Sequence, residues 1–176
     1  WKIRVDTHPE RPDVASQRIH IDVCMASSFD TGPSMLRNRY GVDLGTSGII
    51  LNVETREEIL ADKYCALALR PNRVKHRDVW DIVWLGHKAV ALKPELVWKK
   101  IEERGVDQDT YFESLEERVR NLADGHEDFL FEMRRFLPHR TLKETLDRPE
   151  YWEIVISVIR EGCMQLCKEA GRQPFC

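Results

Sequence analysis

No stretch of this chain approaches the ~18 consecutive apolar residues that a membrane-spanning helix needs. No charged-then-apolar leader stands ahead of a cleavage site, and the expectation is a soluble, cytoplasmic protein. An excess of positive charge is missing too: 27 Lys and Arg face 30 Asp and Glu, for a formal net charge of −3. No global positive field therefore advertises nucleic acid, and any such site must be a local patch. Cysteine is sparse and scattered. The five residues Cys24, Cys65, Cys163, Cys167 and Cys176 are odd in number, a poor disulfide framework that suits buried thiols in a reducing compartment. Cys163 and Cys167 stand at i,i+4, but no C-x-x-C or H-x-x-x-H partner accompanies them, which argues against zinc. Internal repeats, heptads and low-complexity linkers are absent as well. The first residue is Trp1 rather than an initiating methionine, so the chain is expected to begin partway through a longer one or to have lost a leader.

What is present is enough for one domain with a sizeable core, 176 residues in all, with room for a helical appendage. The organising stretch runs from Thr55 to Leu85 and reads as two helices joined by a proline turn. Thr55 is a good N-cap, and Glu58 three residues on completes a capping box. Pro71 ends the first helix near Arg70, because proline disfavours helical geometry in the residue before it. Leu60, Tyr64, Leu67 and Ala68 form an apolar stripe, and Lys63, Ala66 and Arg70 a neighbouring one. On the second helix Asp78 and Asp81 share a face at i,i+3, and Trp80, Val83, Trp84 and His87 form another. Cations separated by a gap and facing paired carboxylates suit a site for phosphates and a metal. The same residues can instead be ion pairs that tie two helix ends together, and Asp81, at i,i+4 from Arg77, can be that arginine's structural partner.

Upstream, residues 2 to 7 alternate Ile3, Val5 and Thr7 against Lys2, Arg4 and Asp6, a half-buried strand stopped by His8-Pro9. Arg18 to Met25 alternates again, with His20, Asp22 and Cys24 on one side. Neighbouring strands each presenting one carboxylate, Asp6 and Asp22, can hold a hard cation through oxygen ligands, or simply face solvent. Residues 26 to 48 read as irregular. Gly45-Thr46-Ser47-Gly48 is a turn and not a phosphate loop, since it opens onto the strand Ile49 to Val53 rather than onto a helix N-terminus. Downstream, helical spacing predicts helices from Lys93-Pro94 to about Arg104, Asp107 to Leu122, Glu127 to Leu137, Thr141 to Leu146 and Pro149 to Lys168. The fold class expected is α+β: a small, mostly antiparallel sheet within residues 1–53, then a C-terminal helical bundle over 54–176. An incomplete sheet leaves an edge that seeks a partner, by self-association or with another chain.

The string ADKYCALALRPNRVKHRDVWDIVWL resembles the signature of the AbiEii-type nucleotidyltransferase toxins: a helix with a lysine and an A-L pair, a basic turn, then R-D-x-x-D opening another helix. Here the pieces are Asp62-Lys63, Ala66-Leu67, the basic residues Arg70, Arg73 and Lys75, and Arg77-Asp78-Val79-Trp80-Asp81. The opening Lys2 to Pro9 is similar to the K-I-E-V-D-T-N-P strand these proteins carry, with Arg4 where an acid is usual. The resemblance runs from about Trp1 to about Cys163. It implies a partial nucleotidyltransferase-like palm and transfer of a nucleotide from a nucleoside triphosphate to an acceptor such as tRNA. It also implies a type IV toxin–antitoxin or abortive-infection setting in phage defence, with a cognate antitoxin. What the resemblance implies for the residues is catalytic positions for Lys63, Asp78 and Asp81, phosphate or nucleic-acid binding by Arg70, Arg73, Lys75 and Arg77, and Mg²⁺ binding by Asp6 and Asp22. The family's G-S pair followed by paired acids is not found ahead of Asp6. The alternative is therefore a catalytically inactive, truncated relative acting as an interaction module.

Overall fold

The computed structural model describes residues 1–176 other than 12, 24, 38–40, 42–44 and 176. Cys24 and Cys176 thus lie outside the described residues. Among the described residues the chain is α+β, with two antiparallel two-stranded sheets and seven helices. β1 (Lys2–Val5) pairs with β2 (Gln17–His20), Lys2 opposite His20 and Val5 opposite Gln17. β3 (Thr31–Met35) pairs with β4 (Ile50–Glu54), Thr31 opposite Glu54 and Met35 opposite Ile50. β3 falls inside the stretch expected to be irregular. Its sequence TGPSM has no alternation and no β-branched residue beyond Thr31, and a strand containing proline is tolerated because a two-stranded ribbon is all edge.

Helix α1 (Arg56–Leu69) begins as its sequence dictates, with the Thr55 side chain accepting from the Glu58 amide at 3.1 Å. Only half of the capping box forms. The Glu58 carboxylate turns away from Thr55 and accepts from the Phe29 and Asp30 amides at 3.1 and 2.7 Å, while the Thr55 amide donates to the Asp30 carbonyl. Arg70 before Pro71 is extended (φ −64°, ψ 129°), so the helix stops where proline requires. Asn72 then takes φ +73°, a left-handed turn that asparagine tolerates. Arg118 clasps this turn from α4, donating to the Asn72 and Arg70 carbonyls, each at 3.2 Å.

The core is helical. α1 and α2 (His76–His87) pack against α3 (Pro94–Glu103), α4 (Gln108–Ala123), α5 (His126–Met133) and α7 (Tyr151–Glu169), with the short α6 (His139–Glu144) alongside. Leu60, Tyr64, Leu67 and Ala68 are buried as their spacing predicts, as are Val79, Ile82 and Val83 of α2. The face expected of α2 rolls toward Val79 and Ile82, leaving Trp84 and His87 exposed. Cys65, Cys163 and Cys167 are buried core residues, and burial pushes the Cys65 thiol up to about 12. No helix among the described residues is long and apolar enough to cross a membrane.

The ribbons stand apart from this core. Ile3, Val5, Ile19 and Ile21 beside the first, and Ile50, Leu51 and Val53 on the second, all remain exposed. The second ribbon is tethered to the helices through residues 27–30. Ser27 donates its amide to Glu103 at 2.9 Å, and Asp30 accepts from Lys93 at 2.7 Å.

Candidate anion-binding site between α1 and α2

The proline turn folds the C-terminal half of α1 back along the first turns of α2, and six charged side chains meet. Lys63 Nζ donates to Asp78 Oδ1 at 2.9 Å and pairs with Asp81 Oδ2 at 2.6 Å. Arg70 donates to Asp78 Oδ2 at 2.7 Å. Asp78, its side chain only 8% exposed, thus holds one cation on each oxygen. Asp81 serves Lys63 and not Arg77, which instead pairs with Glu132 of α5 at 3.7 Å.

These residues line an open cleft of about 380 Å³, with Lys63, Arg70, Lys75 and Arg77 facing Asp78 and Asp81. Four cations against two carboxylates give a local surplus in a chain whose net charge is −3. Trp80, Met133, Phe136 and Leu137 supply an apolar wall, and the Arg77 guanidinium lies 4.7 Å from the Phe136 ring centre. The volume falls within the roughly 300–1,000 Å³ typical of small-ligand pockets. Burial pulls the Lys63 ammonium's pKa down, but hydrogen bonds to Asp81 and Asp78 outweigh it and the net shift is upward. Lys63 is therefore a fixed ammonium at neutral pH, suited to holding an anion rather than to shuttling protons. Arg73 sits outside this cleft, on a smaller one next to it.

The sequence pointed to Lys63, Arg70 and Asp78 through their spacing, but not to Phe136 or Glu132. These arrive from α5 and the turn after it, some fifty residues on, and no local pattern ties them to α2. A second charged cluster was equally illegible. Lys100, 2% exposed, reaches fully buried Glu58 at 2.5 Å and Asp62 at 2.9 Å.

A divalent cation fits none of these places. Both Asp78 oxygens and one Asp81 oxygen already hold cations, and Mg²⁺ wants carboxylate oxygens and water in an octahedron. Glu54, Glu58 and Asp62 bring carboxylate oxygens within 4.8 Å of one another. There Glu58 is filled by two amides and Lys100, Asp62 by Lys100, and Glu54 accepts from Ser28 at 2.6 Å. Asp6 and Asp22 are not brought together. The antiparallel register puts Asp6 beyond one end of the β1–β2 ladder and Asp22 beyond the other, roughly 20 Å of strand apart. Asp6 instead shares a surface cleft with Arg4, His8, Arg11 and Arg18.

The α+β chain thus carries a cation-lined cleft with an apolar wall at the junction of α1 and α2. The family described as "Nucleotidyl transferase AbiEii toxin, Type IV TA system" matches residues 1–155, and the chain belongs to it. The match takes in both ribbons, the cleft and the first turn of α7. No curated protein and no solved structure matches the chain.

Proposed function

We propose that this nucleotidyltransferase toxin transfers a nucleotide from a nucleoside triphosphate to the 3′ end of an acceptor such as tRNA, and that the cleft between α1 and α2 holds the triphosphate. The observation that carries the reading is the Lys63–Asp78–Arg70 arrangement, two cations fixed at one carboxylate with Lys75 and Arg77 on the same cleft. Fixed cations that need no reorganisation stabilise the charge that develops on phosphoryl oxygens as a phosphoanhydride breaks.

Each residue then has a role. Lys63 and Arg70 bind phosphate oxygens. Asp78 is a positioning residue that acts through both of them. Arg77 and Lys75 extend the cationic surface toward the acceptor. Asp81 holds Lys63 with one oxygen, and its other oxygen accepts the proton of the acceptor hydroxyl. That hydroxyl oxygen forms a bond to the α-phosphorus, the bond between α-phosphorus and bridging oxygen breaks, and pyrophosphate leaves. Mg²⁺, which the family implies, neutralises triphosphate charge when bound. The residues described here do not fit it, so none is assigned to it. The proposed partner is an antitoxin met in the cytoplasm, and the exposed apolar sides of the ribbons favour a protein surface that covers them.

The test is incorporation of α-labelled nucleotide into tRNA by the full-length protein. Lys63→Ala and Asp78→Asn should each abolish incorporation while shifting the melting temperature by only a few degrees. Lys63 is partly exposed, and Asp78 keeps Arg70 when Lys63 is cut back. Activity lost only in proportion to lost folding would make these residues architectural.

A further inference from the structure

Next to the triphosphate cleft, across the wall made by Arg77 and Phe136, lies a second opening of about 210 Å³. Three arginines (Arg73, Arg77, Arg135), two rings (Phe131, Phe136) and two carboxylates (Asp128, Glu132) line it. Phe131 is 71% exposed and Phe136 52% exposed, so ring faces stand in water beside arginines. Among the described residues neither Arg73 nor Arg135 has an ion-pair partner. The two openings together hold six cations against four carboxylates, a net positive band on a chain that is negative overall.

Exposed rings and unpaired guanidinium groups have different ordinary fates. A ring in water is stabilised by covering it, and an unpaired arginine by an anion. One ligand satisfies both: an unstacked nucleotide strand, whose bases lie on rings while its phosphates meet arginines. A duplex would keep its bases stacked on each other and leave the rings wet. An apolar protein surface would cover the rings and strand Arg73 and Arg135 without anions. The opening also shares Arg77 and Phe136 with the cleft given above to the triphosphate, so a strand seated here ends beside it.

We infer that the α5 surface bearing Phe131, Phe136, Arg73 and Arg135 is the acceptor subsite and binds the single-stranded 3′ end of an RNA, with a base on Phe131 and the flanking phosphates on Arg73 and Arg135. This rests on the reading of the neighbouring cleft as the triphosphate site. Glu132 is the positioning residue of the subsite. One of its oxygens faces Arg77, whose guanidinium lies over Phe136, and the other is buried without a partner among the described residues.

Fluorescence anisotropy with a labelled single-stranded oligoribonucleotide tests this on the full-length protein, with a blunt duplex of the same sequence as comparison. Binding of each nucleoside triphosphate is measured in parallel. Phe131→Ala should weaken the single strand roughly tenfold, because a stacked base is lost, and Phe131→Tyr should restore it. Arg135→Ala should lower the slope of log affinity against log salt by roughly 0.7. Both side chains are exposed, so folding is not at stake. An unchanged affinity in Phe131→Ala, an unchanged slope in Arg135→Ala, or a preference for the duplex would each overturn the subsite. If Phe131 matters to the strand while triphosphate binding survives Lys63→Ala, the triphosphate reading falls and the RNA surface stands. If Lys63 matters and Phe131 does not, the RNA surface alone falls.

Discussion

Asp78 anchors two cations that would otherwise repel each other across the α1–α2 junction, and the same junction buries a histidine two residues before it. His76, the first residue of α2, packs edge-on to Phe129 with ring centres 5.9 Å apart, and its Nδ1 has no partner among the described residues. Burial lowers its pKa below the ordinary 6.5, with Arg73 adding to the fall and Glu132 and Asp128 opposing it. The unfolded chain therefore binds the proton more readily than the folded one. Stability from this group is complete above the unfolded value of 6.5 and declines as pH falls below it. Urea unfolding at pH 7.5 and 5.5 should show a smaller loss for His76→Leu than for the wild type. Equal losses would mean that His76 gains its proton without opposition from the fold. Lys63 works in the opposite sense. Its raised pKa gives stability that is present below the unfolded value near 10.5 and lost only at strongly alkaline pH.

At the scale of elements, α7 meets α1 at a glycine. A Cβ placed on Gly162 would stand 1.8 Å from the Tyr64 hydroxyl oxygen and 2.4 Å from the ring carbon that bears it. Tyr64 is 2% exposed, so its ring would have to shift within the buried core. Gly162→Ala should therefore lower unfolding stability by about 1–3 kcal/mol, the usual cost of overpacking, although alanine is the better helix former. An unchanged or raised denaturation midpoint would show that α7 shifts freely. Gly162 illustrates what the chain's local patterns conceal. Thr55, Pro71 and the apolar periods of α1, α4 and α7 act within a turn or two, so those helices and the Lys63–Arg70 stripe could be read directly. The spacing from Thr55 makes Glu58 a capping-box residue, but Lys100, 42 positions later, and two amides from residues 29 and 30 claim its carboxylate. β3 carries no strand signal and exists because β4 pairs with it. Phe136 reaches the cleft, and Glu132 reaches Arg77 at its edge, through the docking of α5 on α2, which no spacing within either helix announces.

At the scale of the molecule, the burial is lopsided. The helices hold the buried core, while the two ribbons keep most of their apolar side chains in water. Isolated two-stranded ribbons are marginally stable, so residues 1–53 and 54–176 should open with different free energies. Limited proteolysis of the unpartnered protein should cut first within residues 1–26, ahead of the tether at Ser27 and Asp30, and leave a resistant helical fragment. First cuts inside α1 to α4 would show instead that the ribbons are stabilised in a way that exposure does not reveal. A cognate antitoxin that covers the ribbons should slow the early cuts.

The claim on which the functional account depends is that Lys63 and Arg70, set by Asp78, hold a triphosphate. Isothermal titration of each nucleoside triphosphate into the full-length protein and its Lys63→Ala variant measures it directly. A charged hydrogen bond to a phosphate oxygen is worth roughly 1.5–3 kcal/mol, so the variant's dissociation constant should be at least about tenfold higher. The preferred nucleotide should show this loss most clearly. Equal affinities in wild type and variant, with both proteins folded, would contradict it.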